Sequence, residues 1–507
     1  MSTRHEHLWD LFHASFTAGP ERTALVTTEG AFTYAELCAT ALAISARIRK
    51  AGPVGPFIGL FAERGFAAYA GMLGILHAGR AYVPINTEMP AKRRADIRDQ
   101  AGLSMFITDI GRADLARTSL PGTATLVVAV DNTDARITVD GTPVPPQAGT
   151  DPPISGGPAY LLFTSGSTGT PKGVPVSHRS VATYIRHMRQ LFRVRPDDRF
   201  SQLFALTFDL SVHDLFMAWA SGASLHVVPE DQRLAPASFI RDQGITCWFA
   251  VPSSALVMQR LRLLRANAFP SLRVSAFCGE PLPMDLAQAW MQAAPKSRLL
   301  NLYGPTEATI AITAYEATTG SIAQDQGIVS IGHALPEAEA VIEEDTGELL
   351  LGGPQLAEGY WQDAPRTAER FITRNGRRLY RTGDRVHRDA NGYLYFDGRL
   401  DDQVKVRGHR VELREVELVL QRHSAATFVH VLAHPLRDGL ATGLVAVLPD
   451  DHAAREQELL KACATELPDY MVPSRILFLK ALPLSSSGKV DRRALRALLD
   501  PGTDQRP

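Results

Sequence analysis

Residues 161–173 read Leu-Leu-Phe-Thr-Ser-Gly-Ser-Thr-Gly-Thr-Pro-Lys-Gly, a short apolar run opening into glycines, hydroxyls and one lysine. Gly166 and Gly169 let backbone N–H groups turn toward one point and form an anion-binding nest. Thr164, Ser165, Ser167 and Thr168 add hydroxyl donors, and Lys172 adds a positive charge. Such a loop suits a polyphosphate. Pro171 stands where a Walker A loop needs glycine before its lysine, so the loop is of another type. The plainer reading is a Gly/Ser/Thr linker, which rarely follows a buried strand so directly. A second constellation, Asn301-Leu302-Tyr303-Gly304-Pro305-Thr306-Glu307, sets an aromatic, a turn, a hydroxyl and a carboxylate side by side. Tyr303 can stack on a purine, and Glu307 can hold Mg²⁺ against phosphates. An ordinary Gly-Pro turn with Thr306 as a helix cap is the alternative.

Composition narrows the classes. The chain has 507 residues, 45% of them hydrophobic, enough for one large and one small domain. Lys+Arg is 53 against Asp+Glu 54, so no basic excess points to nucleic acid. Cys38, Cys247, Cys278 and Cys463 lie far apart with no C-x-x-C spacing, which favours neither zinc nor a disulfide framework. No 18-residue apolar run and no signal-like N-terminus occur, so a cytoplasmic protein without membrane partners is expected. His5, His7 and His13 read as a solvated, mobile terminus rather than metal ligands, and His430 and His434 as strand residues.

The elements that must position these motifs are legible in part. Leu37, Ala41, Ile44 and Ile48 predict a helix ending near Gly52, and 67–77 predicts another stopped by Gly79. Apolar runs at 57–61, 106–108, 126–130 and 160–163 predict strands, and Val181, Tyr184, Ile185, Met188 and Phe192 predict one helical face. Strands alternating with helices argue an α/β architecture with parallel sheets. Past Gly347, short strands at 348–351, 378–380 and 393–396 suggest a small β unit. The charged run 398–405 reads as a hinge, and the last hundred residues, with strands at 427–432 and 444–448, as a small mobile α+β domain. The expected division is 1–399 and 401–507. The Pro/Gly-rich stretch 143–158 reads as an exposed loop.

The loop TSGSTGTPKG resembles the phosphate loop of the adenylate-forming enzymes, the group of acyl-CoA ligases, luciferases and peptide-synthetase adenylation domains. Four further motifs follow in that family's order. YGPTE at 303–307 is similar to the motif whose tyrosine packs on adenine, whose threonine touches phosphate and whose glutamate binds Mg²⁺, which implies those roles for Tyr303, Thr306 and Glu307. Tyr380-Arg381-Thr382-Gly383-Asp384 resembles the ribose motif, implying that Asp384 accepts the ribose hydroxyls, as suits a carboxylate. GRLDDQVKVRGHRVEL resembles the hinge motif, with Arg399 near the ribose and Asp401 as hinge; rotation there would carry the loop beginning at Lys405 to the site. Pro483-Leu484-Ser485-Ser486-Ser487-Gly488-Lys489 matches the motif whose lysine bridges substrate carboxylate and ATP phosphates, implying catalysis by Lys489. With weaker matches at 32–37 and 78–85, the likeness covers nearly the whole chain. Asn86 departs from the aspartate common in the family.

Phe208-Asp209-Leu210-Ser211-Val212 resembles the motif of the amino-acid-activating branch, whose aspartate binds the α-ammonium. A buried carboxylate needs a cationic partner; the alternative is Asp209 as a helix N-cap. By the same resemblance the side-chain pocket is lined by Asp209, Leu210, His213, Phe249, Ala276, Cys278, Leu302, Ile310 and Ala311. That lining is mostly apolar, with bulk at Phe249 and Leu302, and implies a small apolar side chain. His213 is either a polar pocket residue or a core histidine. The likeness therefore implies a free-standing enzyme resembling D-alanine–carrier protein ligases. It would use ATP and Mg²⁺ to activate an amino acid and load the phosphopantetheine arm of a separate carrier protein. L-Prolyl or β-amino-acid ligation, an acyl-CoA or aryl-acid ligase and a catalytically silent ATP-binding regulator are the alternatives.

Overall fold

The structure is a computed structural model that describes residues 7–52, 54–131, 136–145, 157–166, 169–318, 320–437, 440–483 and 490–499. Ser167, Thr168, Lys489 and His5, and most of the loop expected at 143–158, lie outside the described residues.

Two large sheets organise the first 340 or so residues. The first has eight strands in the order Thr142–Pro143, Arg136–Val139, Ala124–Asp131, Met105–Asp109, Phe57–Leu60, Ala81–Pro84, β1 (Pro158–Thr164) and β2 (Lys172–Ser177). Its centre is parallel and its edges antiparallel. The second has nine strands, His333–Ala334, Thr313–Ala317, β3 (Arg298–Tyr303), Val274–Phe277, Cys247–Ala250, Arg199–Gln202, Ser224–Val227, Thr23–Thr27 and Gly30–Thr33. Here too the central pairs are parallel.

Helices cover these sheets for reasons visible in the chain. Helix α1 (Tyr34–Lys50) opens on a capping box: Glu36 N–H donates to Thr33 Oγ1 (3.2 Å) and Thr33 N–H to the Glu36 carboxylate (2.7 Å). Such a cap contributes about 1 kcal/mol. Arg47, Arg49 and Lys50 in its last turn face the negative end of the helix dipole. Helix α2 (Phe66–His77) is buried at every residue, as its nearly all-apolar sequence requires. Helix α3 (His178–Phe192) carries the expected face of Val181, Tyr184, Ile185, Met188 and Phe192, all buried. Helix α4 (Leu210–Trp219) is also buried throughout, and Trp219 meets Tyr69 of α2 edge-on at 6.1 Å. The two fully buried helices thus form the layer shared by the sheets. At the carboxyl ends of the strands a cleft of about 430 Å³ opens, bordered by Leu60, Arg64, Asn86, Leu206 and Val228, the place where open α/β sheets leave room for ligands. Asn86 there closes a local turn by accepting from Glu88 N–H (2.9 Å).

The small β unit begins at Glu339–Ile342, earlier than its sequence suggested, and continues through Glu348–Gly352, Phe371–Arg374, Arg377–Arg388 and Leu394–Arg399. The run expected at 378–380 is part of a twelve-residue strand. After it come the hairpin of β4 (Gln403–Val406) and β5 (His409–Glu412), helix α5 (Leu413–Ser424) and a three-stranded sheet of His430–Ala433, Leu444–Pro449 and Ile476–Leu479. This last part has its own core around Val411, Val416, Leu420, Val431, Leu444, Leu459 and Met471.

One reading is corrected. His7 is not solvated: it is buried, stacks on His178 at 3.7 Å and caps the helix Leu8–Ala18. Burial holds its imidazole down to about 4. The reason is tertiary: His178 also accepts from Leu8 N–H (3.3 Å), a contact across 170 residues that no local pattern announces.

Candidate active site

The phosphate-type loop joins β1 to β2, whose register sets Lys172 opposite Thr164. The reversal is tight: a Cβ on Gly166 would lie 2.0 Å from the Thr170 carbonyl oxygen. Lys172 turns inward, 7% exposed, with Nζ 3.2 Å from Glu307 Oε1 and 5.0 Å from the centroid of the Tyr360 ring. Burial and the neighbouring Arg410 pull its ammonium down to about 8, against the pull of Glu307.

Glu307 sits in the 3₁₀ turn Thr306–Ala308 directly after β3 and is fully buried. Its Oε1 accepts from Tyr360 Oη (2.8 Å), and Arg410 Nη1 lies 3.2 and 2.9 Å from its two oxygens. Burial would raise this carboxyl, but Arg410 and Lys172 outweigh it and hold the group well below the usual carboxylate range. Tyr303 ends β3; its Oη donates to Asp384 Oδ2 (2.5 Å), and Asp384 Oδ1 pairs with Arg399 Nη1 (2.5 Å). Arg399 also grips Asp401 through Nε (2.6 Å) and Nη2 (2.7 Å). Tyr303, Asp384, Arg399 and Asp401 therefore form one connected polar chain, and the Lys405 ammonium stands 6.0 Å from the centroid of the Tyr303 ring.

Asp209 occupies the residue before α4 but is no N-cap: its backbone is already α-helical and its side chain makes no cap bond. It borders a cavity of about 50 Å³ together with Leu210, Cys278, Tyr303, Thr306 and Lys405. Burial pushes its carboxyl up to about 6, Glu307 adds to the rise, and the Thr306 hydroxyl and Lys405 oppose it. No salt bridge compensates this buried carboxylate among the described residues, which is the arrangement that favours a cationic ligand.

His213 lies one turn along α4, fully buried, with Nδ1 2.7 Å from Tyr184 Oη and its ring centroid 4.2 Å from that of Phe249. Burial lowers its imidazole to about 3, so it is neutral. Phe249 and Ala276 are neighbours in register on adjacent strands, and Leu302 lies on β3. Ile310 and Ala311 follow a strained corner: Thr309 and Ile310 carry φ of 57° and 73°, which costs β-branched residues on the order of 1–3 kcal/mol each. Gln355 holds that corner, its Nε2 donating to the Ala311 carbonyl (2.9 Å) and its own backbone carbonyl accepting from Thr309 Oγ1 (2.5 Å). Of the nine residues expected to line the side-chain pocket, Asp209, Leu210 and Cys278 line the 50 Å³ cavity, whereas His213, Phe249, Ala276, Leu302, Ile310 and Ala311 do not. The Cys278 thiol, pushed up to about 12 by burial, is protonated.

Residues without an assigned role in the sequence complete the site. Glu280 accepts from Gly408 N–H (2.5 Å) and Ser253 N–H (2.8 Å). Ser165 Oγ donates to the Arg410 carbonyl (2.8 Å), and Gly166 N–H donates to the Glu415 carboxylate (3.1 Å). The hairpin of β4 and β5 is thereby seated on the loop and on Glu307. Glu280, Arg410 and Glu415 lie in or beside recognisable sequence motifs, but only tertiary contact assigns their partners.

Comparison with known proteins decides the family. The model of the AMP-binding enzyme family matches residues 12–361, and that of the AMP-binding enzyme C-terminal domain matches 415–489. The chain belongs to the AMP-binding enzymes. A linear gramicidin synthase protein of Brevibacillus parabrevis is 34% identical over 97% of this chain, which spans 6% of that protein's length. The chain likewise spans 19% of a plipastatin synthase protein of Bacillus subtilis, at 30% identity. D-alanine–D-alanyl carrier protein ligase of Bacillus licheniformis is 29% identical, with 94% of this chain and 96% of that protein covered. The adenylation domain AlmE of Vibrio cholerae, solved in complex with glycyl-adenosine-5′-phosphate, superposes with a TM-score of 0.85 at 31% identity over 99% of both chains. This AMP-binding enzyme is an adenylate-forming ligase of the nonribosomal-peptide adenylation type, and its α/β fold is that of adenylation domains. Among the described residues no helix is long and apolar enough to cross a membrane.

Proposed function

We propose that this enzyme activates a small apolar α-amino acid, D-alanine first, as its aminoacyl-AMP. It then passes the acyl group to the phosphopantetheine thiol of a separate carrier protein. The observation that carries the reading is Asp209: a buried carboxylate with no salt-bridge partner among the described residues, beside a cavity of about 50 Å³. An α-ammonium supplies the missing charge. The likeness to a D-alanine–carrier protein ligase along its whole length supports the class. The glycyl adenylate held by AlmE supports a small side chain.

In the first half-reaction a carboxylate oxygen of the amino acid attacks the α-phosphorus of ATP and pyrophosphate leaves. Tyr303 would face the adenine, Asp384 and Arg399 the ribose, and the 164–169 loop with Thr306 the phosphates, with Lys489 bridging carboxylate and phosphate. Glu307 fits Mg²⁺: it is a buried carboxylate kept ionised next to the phosphate loop, and the ion would neutralise phosphate charge. Positioning and preorganised charge carry the rate. In the second half-reaction the thiol sulfur attacks the acyl carbonyl, AMP leaves with the bonding pair and the thiol proton passes to solvent. The division into 1–399 and 401–507, hinged at Asp401, belongs to this reading, as does Lys405 as the hairpin lysine serving the transfer step. Its seat near Tyr303 supports that role.

The test is ATP–pyrophosphate exchange over D-Ala, L-Ala, Gly, L-Ser, L-Pro, a β-amino acid, a fatty acid and an aryl acid. Mass spectrometry of a phosphopantetheinylated carrier protein follows the transfer. Exchange with D-Ala and a mass gain on the carrier are expected. Exchange with fatty or aryl acids alone returns the chain to the acyl-CoA branch, and no exchange at all makes it a silent regulator.

A further inference from the structure

The bonds of the segment 355–361 converge on Glu307 and Lys172. Gln355 fixes the 309–311 corner that follows Glu307. Ala357 N–H donates to the Glu307 carbonyl (2.8 Å), and Trp361 N–H donates to the Gly173 carbonyl beside Lys172 (2.8 Å). Between them Tyr360, 6% exposed, points its hydroxyl at Glu307 Oε1 (2.8 Å). An ionised carboxylate can only accept, so Tyr360 is the donor. Its proton being spent there, the Tyr360 oxygen is left to accept from Tyr380 Oη (3.4 Å). The Tyr360 backbone is itself pinned, its N–H donating to Thr367 Oγ1 (2.9 Å), and its ring lies 5.0 Å from the Lys172 ammonium. Lys172 Nζ meets the same Oε1 (3.2 Å). The other oxygen, Oε2, meets Arg410 of the β4–β5 hairpin (2.9 Å), which the proposed turn at Asp401 would carry away.

We propose that Tyr360 is a positioning residue for Mg²⁺: its hydroxyl, backed by that of Tyr380, holds Glu307 by Oε1 so that Oε2 is the oxygen offered to the metal. This rests on the reading of Glu307 as the metal ligand given above. A carboxylate held by one oxygen loses its freedom to swing, and a hydrogen bond that fixes a metal ligand from behind is worth about 10–100-fold in metal affinity. Tyr360 acts through Glu307 and need touch neither metal nor phosphate. Tyr380 lies on the strand Arg377–Arg388, which also carries Asp384. The chain of hydroxyls thereby couples the metal ligand to the strand that would hold the ribose.

The experiment is calorimetric titration of α,β-methylene-ATP, whose α–β linkage resists cleavage, into the full chain, once with excess Mg²⁺ and once with EDTA. The proteins are the wild type, Tyr360→Phe, Glu307→Gln and the double variant. Phenylalanine keeps the ring beside Lys172 and removes only the hydroxyl. In Tyr360→Phe the Kd in EDTA should be unchanged, whereas the Kd with Mg²⁺ should rise by about 10-fold or more, toward that of Glu307→Gln. In the Glu307→Gln background the second substitution should add nothing, because Tyr360 acts through Glu307. Tyr380→Phe should shift the Kd with Mg²⁺ in the same direction by a smaller factor. An unchanged Kd with Mg²⁺ in Tyr360→Phe, equal losses with Mg²⁺ and EDTA, or a further loss in the double variant overturns the proposal. If Tyr360→Phe does not fold, an unchanged Kd with Mg²⁺ in Tyr380→Phe overturns it instead. If Glu307→Gln gains as much from Mg²⁺ as the wild type does, the metal reading of Glu307 itself falls, and the proposal with it.

Discussion

Asp209→Asn should separate stability from function in opposite directions. The Asp209 carboxyl is raised by burial from the ordinary 3.8 to about 6. At 1.36 kcal/mol for each tenfold change in proton affinity, keeping this carboxylate ionised in the folded state costs about 3 kcal/mol. Proton counting sets the sign. Below about pH 3.8 Asp209 is neutral in both states and contributes nothing. Between 3.8 and about 6 the folded protein binds more protons than the unfolded chain, so stability falls as pH rises, and above about 6 the loss is complete. Asparagine does not titrate and keeps the shape. The variant should therefore match the wild type near pH 4 and exceed it by up to about 3 kcal/mol at pH 8, read by urea unfolding at both pH values. The same variant leaves the substrate ammonium without its partner, a loss of about 3–5 kcal/mol, or ~10²–10³-fold or more in amino-acid activation. A stability difference that does not change with pH, or a variant less stable at pH 8, would refute the burial argument. Unimpaired amino-acid exchange would refute the ammonium assignment.

Two further outcomes are expected. Lys489→Ala should slow adenylation by at least ~10²–10³-fold, as for loss of a charge aimed at the transition state. Transfer from preformed adenylate should suffer far less, and equal losses in both half-reactions would contradict a rotating small unit. Phe249→Ala removes the ring against which His213 is pressed; exchange with leucine should rise by roughly 10–200-fold relative to alanine, the range that a methylene or two of pocket space controls, and an unchanged ratio would place Phe249 outside the specificity pocket.

Much of the scaffold was legible because its elements repeat locally. Leu37, Ala41, Ile44 and Ile48 announce α1, the apolar stripe of α3 is buried as spaced, and the run before Thr164 is the strand that holds the loop. The motif residues likewise converge: Tyr303, Asp384 and Arg399 are directly bonded although 81 and 15 residues separate the partners. What no pattern carried is the pairing of charges over distance. Arg410 reaches Glu307 across 103 residues and Glu415 reaches Gly166 across 249. Asp209 shows the other limit, since the alternative of a helix cap is set aside only by its own backbone, which is already helical. His7 shows a third: burial of a terminal residue depends on the partner it finds, here His178.

The central claim, that this enzyme recognises an amino acid by its ammonium, is tested most directly by ATP–pyrophosphate exchange with D-alanine against propionate, which has the same carbon skeleton without the nitrogen. The buried carboxylate of Asp209 predicts exchange with D-alanine at least ~10²-fold more efficient, the value of a buried charge pair. Propionate exchanging as well as alanine would contradict that claim.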